Sequence, residues 1–351
     1  MHKHLKALTM LDGIPSFEKE VRDYMTAHLK NDAIVTTDKL GSFIAKHGED
    51  GPRVMVAGHM DEVGFIVSAI TDEGYIKFVP AGGWWSQVML AQQFNITTRD
   101  GQKIRGAIGA KAPHILTPEE RKKPVEMTDM FLDIGATDKA AVKERGVTIG
   151  DMMTPYIETT ELSDAKYYLG KAFDNRVGCA AVIDVMKHYA TNNHANQLYG
   201  VATVQEEVGL RGARTSAYHV SPDIGIAVDT TISHDFPGGS KETELGKGPA
   251  IMIRDSSMIG HQGLRNFVLD IAKANDIPVQ LTSLLRGGTD GGQMHLAKSG
   301  APSIAFCLPV RYLHSHTSMI HEDDYDHLVK LLIAVIDKLD TKAVQAITYD
   351  A

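Results

Sequence analysis

The sequence predicts an α/β fold in which a mixed, mostly parallel sheet is sandwiched by helices and a small β-rich domain is inserted. Three near-continuous apolar runs, each typical of a strand buried on both faces of a parallel sheet, lie at residues 53–57, 199–204 and 224–228. After about residue 165, predicted helices alternate with predicted strands, which is the pattern of parallel β-α-β units. Between about residues 64 and 162 the pattern changes to short β-rich pieces separated by turns.

The first predicted element is a helix over residues 16–30. Ser16 is a candidate N-cap, and Glu18 and Glu20 place negative charge near the positive end of the helix. A capping box is absent, because Lys19 occupies its acidic position. The next predicted elements are strands within residues 32–47 and 53–58.

The β-rich stretch predicts a small domain at residues 64–162, inserted into a larger domain formed by residues 1–63 and 163–351. Its candidate strands include residues 65–68, 75–79 and 93–97, with turns at 72–74 and 100–101. The charged, proline-bounded stretch 117–124 has the composition of a flexible loop.

The remainder of the larger domain is predicted to alternate between helices and strands. The helices are expected at about 175–191, 211–219, 261–274, 290–299 and 322–340, and the strands at about 198–204, 224–229, 278–283 and 302–306.

The composition is that of an ordinary enzyme and argues against several partners. A chain of 351 residues with 43% hydrophobic content can bury a large core. A net charge of -8 without a Lys/Arg cluster argues against nucleic acid and membranes, because nucleic acid and anionic lipid both require clustered positive charge. No apolar stretch suits a signal peptide or the ~20 residues of a membrane span. Cys179 and Cys307 are candidate core residues and fit a reducing compartment, so a cytoplasmic location is expected.

Potential metal ligands lie in separate short segments, three of which directly follow predicted buried strands. Because the ends of parallel strands meet at one rim of a sheet, these side chains are expected to converge. A hydrolytic site with two metals needs a bridging carboxylate, further ligands for each ion and a base for the shared water. Nitrogen and carboxylate ligands without thiolates suit zinc first, cobalt second and also manganese. The segments are residues 58–61, 173–176, 205–209, 228–230 and 313–315.

Each of these residues taken alone has an ordinary alternative. His59 could be a core or surface histidine, and Asp61, two residues further along an extended segment, could hold its free ring nitrogen. Asp174 could equally be the N-cap of the helix that follows it. Adjacent Glu206 and Glu207 are stronger evidence. Two acids directly after a buried strand cost repulsion and desolvation unless a cation or a proton compensates.

Six short motifs occur along the chain in a fixed order. They are His59-Met60-Asp61, Ala172-Phe173-Asp174-Asn175-Arg176, Glu206-Glu207-Val208-Gly209, Val228-Asp229, Gly287-Gly288-Thr289-Asp290 and Leu313-His314-Ser315. Through them, and over essentially its whole length, the chain resembles the glutamyl and tetrahedral (TET) aminopeptidases, a family of dinuclear-metal exopeptidases. The resemblance implies a zinc-peptidase-like fold with a small β-barrel-like (PDZ-like) insertion.

The resemblance also implies a role for each motif residue and two divalent ions per subunit. The implied ligands are His59 and Asp229 for one ion and Glu207 and His314 for the other, with Asp174 bridging both. Glu206 would then be the general base that takes a proton from the attacking water and passes it to the departing amine. Asp61 would join the catalytic set beside the first histidine.

The expected activity is removal of N-terminal residues, preferably Glu or Asp, from short peptides, with leucyl or broad aliphatic specificity as the alternative. A pocket for Glu or Asp needs a cation, since an unpaired buried carboxylate is costly. Arg254 and Arg286 are the candidates, although either could pair instead with neighbouring Asp255 or Asp290. The glycine-rich loop 287–292 lacks the sequence of a phosphate cradle, which argues against nucleotide binding and favours close backbone approach.

The resemblance implies a homo-oligomer, built from dimers that form through the inserted domain and assembled into twelve-subunit cages. The pair Trp84-Trp85 could lie at an interface or inside the β domain. His316 and His321 lie close to His314 in sequence, could compete with it as ligands and are expected to face solvent. Two further histidines, His234 and His261, depart from the family pattern and have no assigned role.

Two other classes of function remain open. A glycosidase could draw a carboxylate pair from Glu206, Glu207 and Asp229, but this leaves both histidines and Asp174 without a role. A non-catalytic peptide-binding scaffold is the other, although no implied ligand or base is missing from the sequence.

Overall fold

The computed structural model describes residues 2–162 and 166–347. Its helices are α1 (Lys3–Thr9), α2 (Lys19–Leu29), α3 (Lys139–Glu144), α4 (Phe173–Tyr189), α5 (Arg211–Val220), α6 (Gln262–Ala274), α7 (Gly291–Met294), α8 (Glu322–Ile336) and α9 (Thr341–Ala346). Its strands are β1 (Ile34–Thr37), β2 (Phe43–His47), β3 (Arg53–His59), β4 (Gly64–Ile70), β5 (Ile76–Ala81), β6 (Gln93–Thr97), β7 (Lys103–Gly109), β8 (Phe131–Asp133), β9 (Met152–Pro155), β10 (Thr160–Leu162), β11 (Tyr167–Gly170), β12 (Gln197–Thr203), β13 (Ile224–Ile232), β14 (Ala250–Arg254), β15 (Gln280–Ser283), β16 (Ser303–Val310) and β17 (Ser318–His321).

A mixed sheet organises the larger part of the molecule. Within the described residues it has eight strands in the order β1-β2-β12-β3-β13-β16-β14-β15. The central strands β12, β3, β13 and β16 are parallel, whereas β2 pairs with β12, and β14 with β16, in antiparallel fashion. The predicted class of a mixed, mostly parallel α/β fold is confirmed.

Alternate residues of β3 enter two different cores. Val54 and Val56 belong to the larger core, which also contains residues of α4, α6 and α8, whereas Met55 and Ala57 belong to a core with residues of α5 and α7. Side chains of a strand point to opposite faces in turn, so helices cover the sheet on both faces. This double burial explains why residues 53–57 form a continuous apolar run.

Two glycines let the start of α4 lie against the end of β3. A Cβ on Gly58 would lie only 2.7 Å from the Cα of Gly178, so no larger residue fits without displacing the helix. A Cβ on Gly178 would lie 2.8 Å from the carbonyl oxygen of Val228 in β13. Close backbone approach of this kind is a common reason for glycine in a packed element. It brings the first turn of α4 to the edge where β3 and β13 deliver their side chains.

A closed barrel lies between β3 and β10, within the predicted insertion. In the described residues its strands follow the order β4-β5-β8-β7-β6-β9, and they enclose a separate core. The Trp84 ring packs in this core, with centroid distances of 5.0 Å to Phe65 and 5.8 Å to Phe94. Trp85 is 60% exposed on the barrel surface. Of the two alternatives for the pair, packing inside the β domain therefore applies to Trp84, whereas Trp85 has the exposure that an interface residue needs.

Charged side chains join the barrel to helix α2 and to the segment before it. Lys103 of β7 lies 2.7 Å from Oδ2 of Asp12 and 2.9 Å from Oε1 of Glu20. Asp12 also pairs with Lys171 at 2.8 Å, and Lys171 lies 2.6 Å from Glu62. Burial acts to raise the pKa of Asp12, but the positive charges and hydrogen bonds of Lys171 and Lys103 outweigh it and hold the pKa below its ordinary value. The alternating signs of charge fix the orientation of the barrel on the sheet.

Several element boundaries differ from the predicted ones. The first long helix begins at Lys19 rather than near Ser16, because Ser16 has a left-handed backbone with φ of 74° and donates its N–H to Glu18. The helix expected over residues 290–299 is confined to Gly291–Met294. No helix within the described ranges has the length and apolarity to cross a membrane. Both cysteines are buried and unpaired.

Asp324 gives the fold a pH-dependent contact. It is buried in the first turn of α8, and its carboxylate accepts the N–H groups of Gly246 at 2.7 Å and Gly248 at 2.6 Å. Burial raises its pKa from 3.8 to about 7, although the two backbone donors act in the opposite direction.

The free energy of unfolding should therefore carry a pH dependence from Asp324. Its pKa is higher in the folded than in the unfolded chain, so its stabilising contribution is greatest below roughly pH 4 and is lost as the pH rises toward roughly 7. Asp324→Asn does not titrate and should flatten this part of the profile. Urea unfolding across the range measures the effect, with the exposed Asp50→Asn as control; a profile that Asp324→Asn leaves unchanged would contradict the assignment.

Candidate metal centre

Three parallel strands deliver side chains to one edge of the sheet. His59 is the last residue of β3 and lies in register with Thr203, the last residue of β12. Glu206 and Glu207 follow β12 after a short turn, and Asp229 projects from the neighbouring β13. The convergence expected from the apolar runs is present, because parallel strands in register end at the same edge.

Asp174 reaches this edge from the first turn of α4. The peptide bond between Asp174 and Asn175 is cis. The Asn175 side chain accepts the N–H of Gly178 at 2.9 Å and donates to the carbonyl of Val228 at 2.7 Å. Asn175 therefore caps the regular part of the helix, and the alternative that Asp174 is its N-cap is wrong. The Asp174 carboxylate is left to face the strand ends.

Both histidines direct Nε2 toward Asp174. His59 donates its Nδ1–H to the carbonyl of Asp61 at 2.9 Å, and His314 donates its Nδ1–H to the carbonyl of Gly83 at 3.1 Å. In the neutral ring the other nitrogen is then an acceptor. His59 Nε2 lies 3.1 Å from Oδ1 of Asp174, and His314 Nε2 lies 3.2 Å from its Oδ2. Burial acts to lower the pKa of both rings, but the surrounding carboxylates outweigh it and raise the pKa, in His314 to about 11, so positive charge is favoured between each Nε2 and Asp174.

Further carboxylates surround the two histidines. His59 Nε2 lies 3.7 Å from Oε2 of Glu206 and 3.8 Å from Oδ1 of Asp229, and His314 Nε2 lies 3.4 Å from Oε1 of Glu207. Oδ1 of Asp174 and Oε1 of Glu207 are buried and lack a hydrogen bond of acceptable geometry among the described residues. Buried acceptors left in this way require a cation or a proton.

The spacing of these atoms suits divalent metal ions. Ligands about 2.0–2.2 Å from zinc in a tetrahedral arrangement lie roughly 3.3–3.6 Å apart, close to the separations found here. Two candidate triads share Asp174, which is the arrangement that a bridging carboxylate requires. A third candidate triad does not contain Asp174. The triads are His59 with Asp174 and Asp229, Asp174 with Glu207 and His314, and His59 with Glu206 and Glu207.

The electrostatics of the metal-free chain show the same excess of negative charge. Burial, followed by neighbouring carboxylates, raises the pKa values of Glu206 and Asp229 well above their ordinary range. Burial also acts to raise the pKa of Asp174, but the hydrogen bond from His314 and the positive charge of both histidines outweigh it and hold the pKa low. Such opposed shifts within one cluster are typical of functional sites.

Asp61 has a different role from the one expected. Its carboxylate does not hold the free nitrogen of His59, which bonds the Asp61 main chain instead. The two carboxylate oxygens accept the backbone N–H groups of Glu206 at 3.1 Å and Glu207 at 3.0 Å. Asp61 lies at 0% exposure, below the cavity surface. Its carboxylate therefore contacts the main chain of both glutamates and does not line the cavity.

A cavity of about 1000 Å³ opens above the candidate ligands. Its lining in the described part of the chain includes Arg286 but not Arg254, which is exposed at the end of β14. The cavity lining therefore does not support the expectation that Arg254 serves the pocket, although Ser256 and Ser257 just after it do line the cavity. Neither arginine forms the suggested ion pair within the described residues, since Asp255 accepts from Ser257 and from Thr289 instead.

Sequence reasoning missed a second arginine in the cavity wall. The Arg311 guanidinium lines the cavity and donates to both oxygens of Asp235, at 2.7 and 2.6 Å. Asp235 lies 76 residues earlier in the chain, so no local motif links the two. The glycine-rich loop does approach closely, since a Cβ on Gly288 would lie 2.8 Å from Oγ of Ser257.

Four other histidines noted in the sequence make local structural contacts. His316 is buried and donates Nε2–H to the carbonyl of Gln93 at 2.9 Å, and the side chain of His321 is only 12% exposed and caps α8. The expectation that both face solvent is therefore wrong. His261 accepts the N–H of Leu264 as the cap of α6, and His234 lies 3.0 Å from Oγ1 of Thr243. Each of the four has a structural contact outside the candidate triads.

Comparison with known proteins agrees with this geometry. The profile of the family described as M42 glutamyl aminopeptidase matches residues 41–331. The chain belongs to this family.

Curated relatives in the family differ in their named specificity. The chain is 37% identical over 349 residues to the glutamyl aminopeptidase of Lactococcus lactis subsp. cremoris, covering 98% of each chain. It is 32% identical over 343 residues to the lysyl aminopeptidase of Pyrococcus furiosus, covering 95% of this chain and 96% of that one. Both relatives are named as aminopeptidases, but the two names specify different preferred N-terminal residues.

Solved structures of TET aminopeptidases share the fold. The TET aminopeptidase of the archaeon Thaumarchaeota archaeon SCGC AB-539-E09 superimposes with a TM-score of 0.96, 42% identity and 99% coverage of both chains. The TET1 peptidase of Pyrococcus horikoshii, which can assemble into a tetrahedron or a large octahedral shell, gives a TM-score of 0.88 at 31% identity, covering 96% of this chain and 99% of that one. Peptidases of the M42 family are metal-dependent, in accord with the candidate triads.

Asp174→Asn should abolish stable binding of two ions, because the neutral amide cannot bridge them as a carboxylate does. After dialysis against zinc, the zinc content of the variant should be one ion per chain or none, compared with two in the wild type. Glu206→Gln is the matched control, since it removes a buried charge of the same cluster but should keep both ions. Two ions in both variants would show that the roles are wrongly assigned.

Proposed function

We propose that this chain is a dinuclear metalloaminopeptidase that removes N-terminal residues, preferably Glu or Asp, from short peptides. The arrangement around Asp174 carries the proposal. Two imidazole nitrogens face its oxygens at 3.1 and 3.2 Å, and three more carboxylates crowd the site within 3.8 Å of the same nitrogens. Two divalent cations would relieve this repulsion, and the aminopeptidase family supports the reaction.

We assign the ligands so that both ions share one carboxylate. Bound there, the two ions would polarise the scissile carbonyl and lower the pKa of the attacking water. The nitrogen and carboxylate donors favour zinc or cobalt, with manganese also suitable. The assigned ligands are His59 and Asp229 for one ion, Glu207 and His314 for the other, and Asp174 for both.

We assign the general base to Glu206, which is the acid of the cluster that belongs to neither triad sharing Asp174. It lines the cavity, so a substrate can approach it. Burial raises the pKa of Glu206, which is the direction that makes a carboxylate a stronger base. The Glu206 carboxylate takes a proton from the attacking water and gives it to the departing amine. Asp61 positions it through the backbone N–H of Glu206.

We propose that Arg286 recognises the acidic side chain of the substrate. It lines the cavity and makes no ion pair with the described residues, whereas Arg311 is already bound to Asp235. An unpaired guanidinium can bind a substrate carboxylate through two hydrogen bonds. Leucyl or aliphatic specificity is the second candidate, favoured by the apolar side chains of Ile232, Phe236 and Leu284 in the lining.

We further propose a cytoplasmic homo-oligomer built from dimers that form through the inserted barrel, with a dodecamer as the complete assembly. The exposed Trp85 on the barrel supports such a contact, because aromatic residues are enriched at interfaces. The two buried, unpaired thiols suit a reducing compartment.

Chelator-stripped protein should regain hydrolysis of N-terminal anilides when zinc, cobalt or manganese is returned. Glutamyl and aspartyl anilides should be hydrolysed fastest. Arg286→Gln should lower kcat/KM for these two substrates by roughly 10- to 100-fold, since one charged hydrogen-bonding partner is removed, and should change kcat/KM for leucyl anilide little. Arg254→Gln, outside the cavity, is the control. Turnover led by leucyl anilide would replace the acidic specificity by the aliphatic one. No turnover with any metal would reject the aminopeptidase.

Glu206→Gln should lower kcat by roughly 10²- to 10⁴-fold, as expected for loss of a general base. Steady-state kinetics at saturating metal measure this loss independently of metal binding. A variant that equals the wild type in turnover would require a different base or a non-catalytic role.

A further inference from the structure

Two buried carboxylates hold three consecutive backbone N–H groups in the turn after β12. The N–H of Gln205 donates to Oε1 of Glu18 at 3.0 Å. The N–H groups of Glu206 and Glu207 donate to the two oxygens of Asp61 at 3.1 and 3.0 Å. The main chain of the turn that carries the assigned base and an assigned metal ligand is therefore held by hydrogen bonds to Glu18 and Asp61.

The backbone of this turn needs such support. Gln205 has φ of 55°, in the left-handed region that side chains other than glycine rarely adopt. A left-handed residue followed by others of ordinary conformation points successive N–H groups to the same side, where they form a nest for anions. Charge-assisted hydrogen bonds to carboxylates are stronger than neutral ones and stabilise such a conformation.

Glu18 supports two left-handed residues at once. Its Oε1 also accepts the N–H of Ser16 at 2.8 Å, and Ser16 has φ of 74°. Glu18 is 3% exposed and forms no ion pair within the described residues, and its carboxylate accepts hydrogen bonds from backbone N–H groups. It does not line the cavity and therefore lies beyond the reach of a substrate. Its contact with the site runs through the Gln205 main chain.

We propose that Glu18 is a positioning residue for the assigned general base. Its carboxylate holds Gln205 in the left-handed conformation and thereby sets the direction in which the Glu206 side chain enters the cavity. The proposal rests on the proposed function, because it takes Glu206 as the base. Glu18 touches neither substrate nor reacting atoms.

The first test compares two substitutions at this position. Glu18→Leu removes the acceptor, so the Gln205 N–H is left unpaired and the turn relaxes. The kcat should fall roughly 10- to 100-fold, because a displacement of about 1 Å at a catalytic group costs this much, while KM and bound metal stay within about threefold. Glu18→Gln keeps an oxygen that accepts the same N–H, and its kcat should stay within about threefold of the wild type.

A matched control separates positioning from general loss of stability. Asp324 is likewise buried and accepts two backbone N–H groups, but those of Gly246 and Gly248, away from the cavity lining. Asp324→Leu should destabilise the fold and leave kcat per folded, metal-loaded chain unchanged. If Glu18→Leu does not fold, Glu18→Ser replaces it, since serine is too short to reach Gln205 and leaves room for water.

Hydrogen exchange of the metal-free chain gives a readout that does not depend on turnover. Amides 205–207 should exchange at least tenfold faster in Glu18→Leu than in the wild type or in Asp324→Leu. A normal kcat in Glu18→Leu, an unchanged exchange rate, or an equal loss in Glu18→Gln would each overturn the proposal. Absence of peptidase activity in the wild type would instead reject the proposed function, and the exchange rates would still test the hold on Gln205.

Discussion

The structure depends on one electrostatic constraint, the crowding of buried carboxylates and two imidazole rings around Asp174. The nitrogens of His59 and His314 lie 3.1 and 3.2 Å from its two oxygens, with further buried carboxylates close behind. Acceptors at such distances repel one another in a buried site unless positive charge lies between them. The parallel strands, the close approach of α4 and the His314 loop all serve to bring these groups together despite that repulsion.

The outer contacts of the histidines explain why the inserted barrel belongs to the site. His59 is oriented by the main chain next to it, whereas His314 is oriented by the carbonyl of Gly83, which follows barrel strand β5. A ligand histidine commonly has its second nitrogen fixed in this way. Because Lys103 ties the barrel to Asp12 and Glu20, the position of the barrel determines the geometry of one side of the centre.

The sequence was sufficient for the fold and for the residues that meet at the sheet edge. Continuous apolar runs identify strands buried on both faces, and residues just beyond such strands must lie at one edge. The contacts that orient these residues could not be predicted. Asp61 bonds main-chain N–H groups 145 residues away, and Arg311 pairs with Asp235 across 76 residues. Such pairs depend on loop conformation and side-chain rotamers, which leave no periodic pattern in the sequence.

The most direct test of this account is X-ray diffraction from zinc-soaked crystals at the zinc absorption edge. The account predicts two anomalous peaks about 3.5–4 Å apart on either side of the Asp174 carboxylate, one beside His59 and Asp229 and one beside Glu207 and His314. A single peak within the triad of His59, Glu206 and Glu207, or no peak at all, would contradict the two-metal centre.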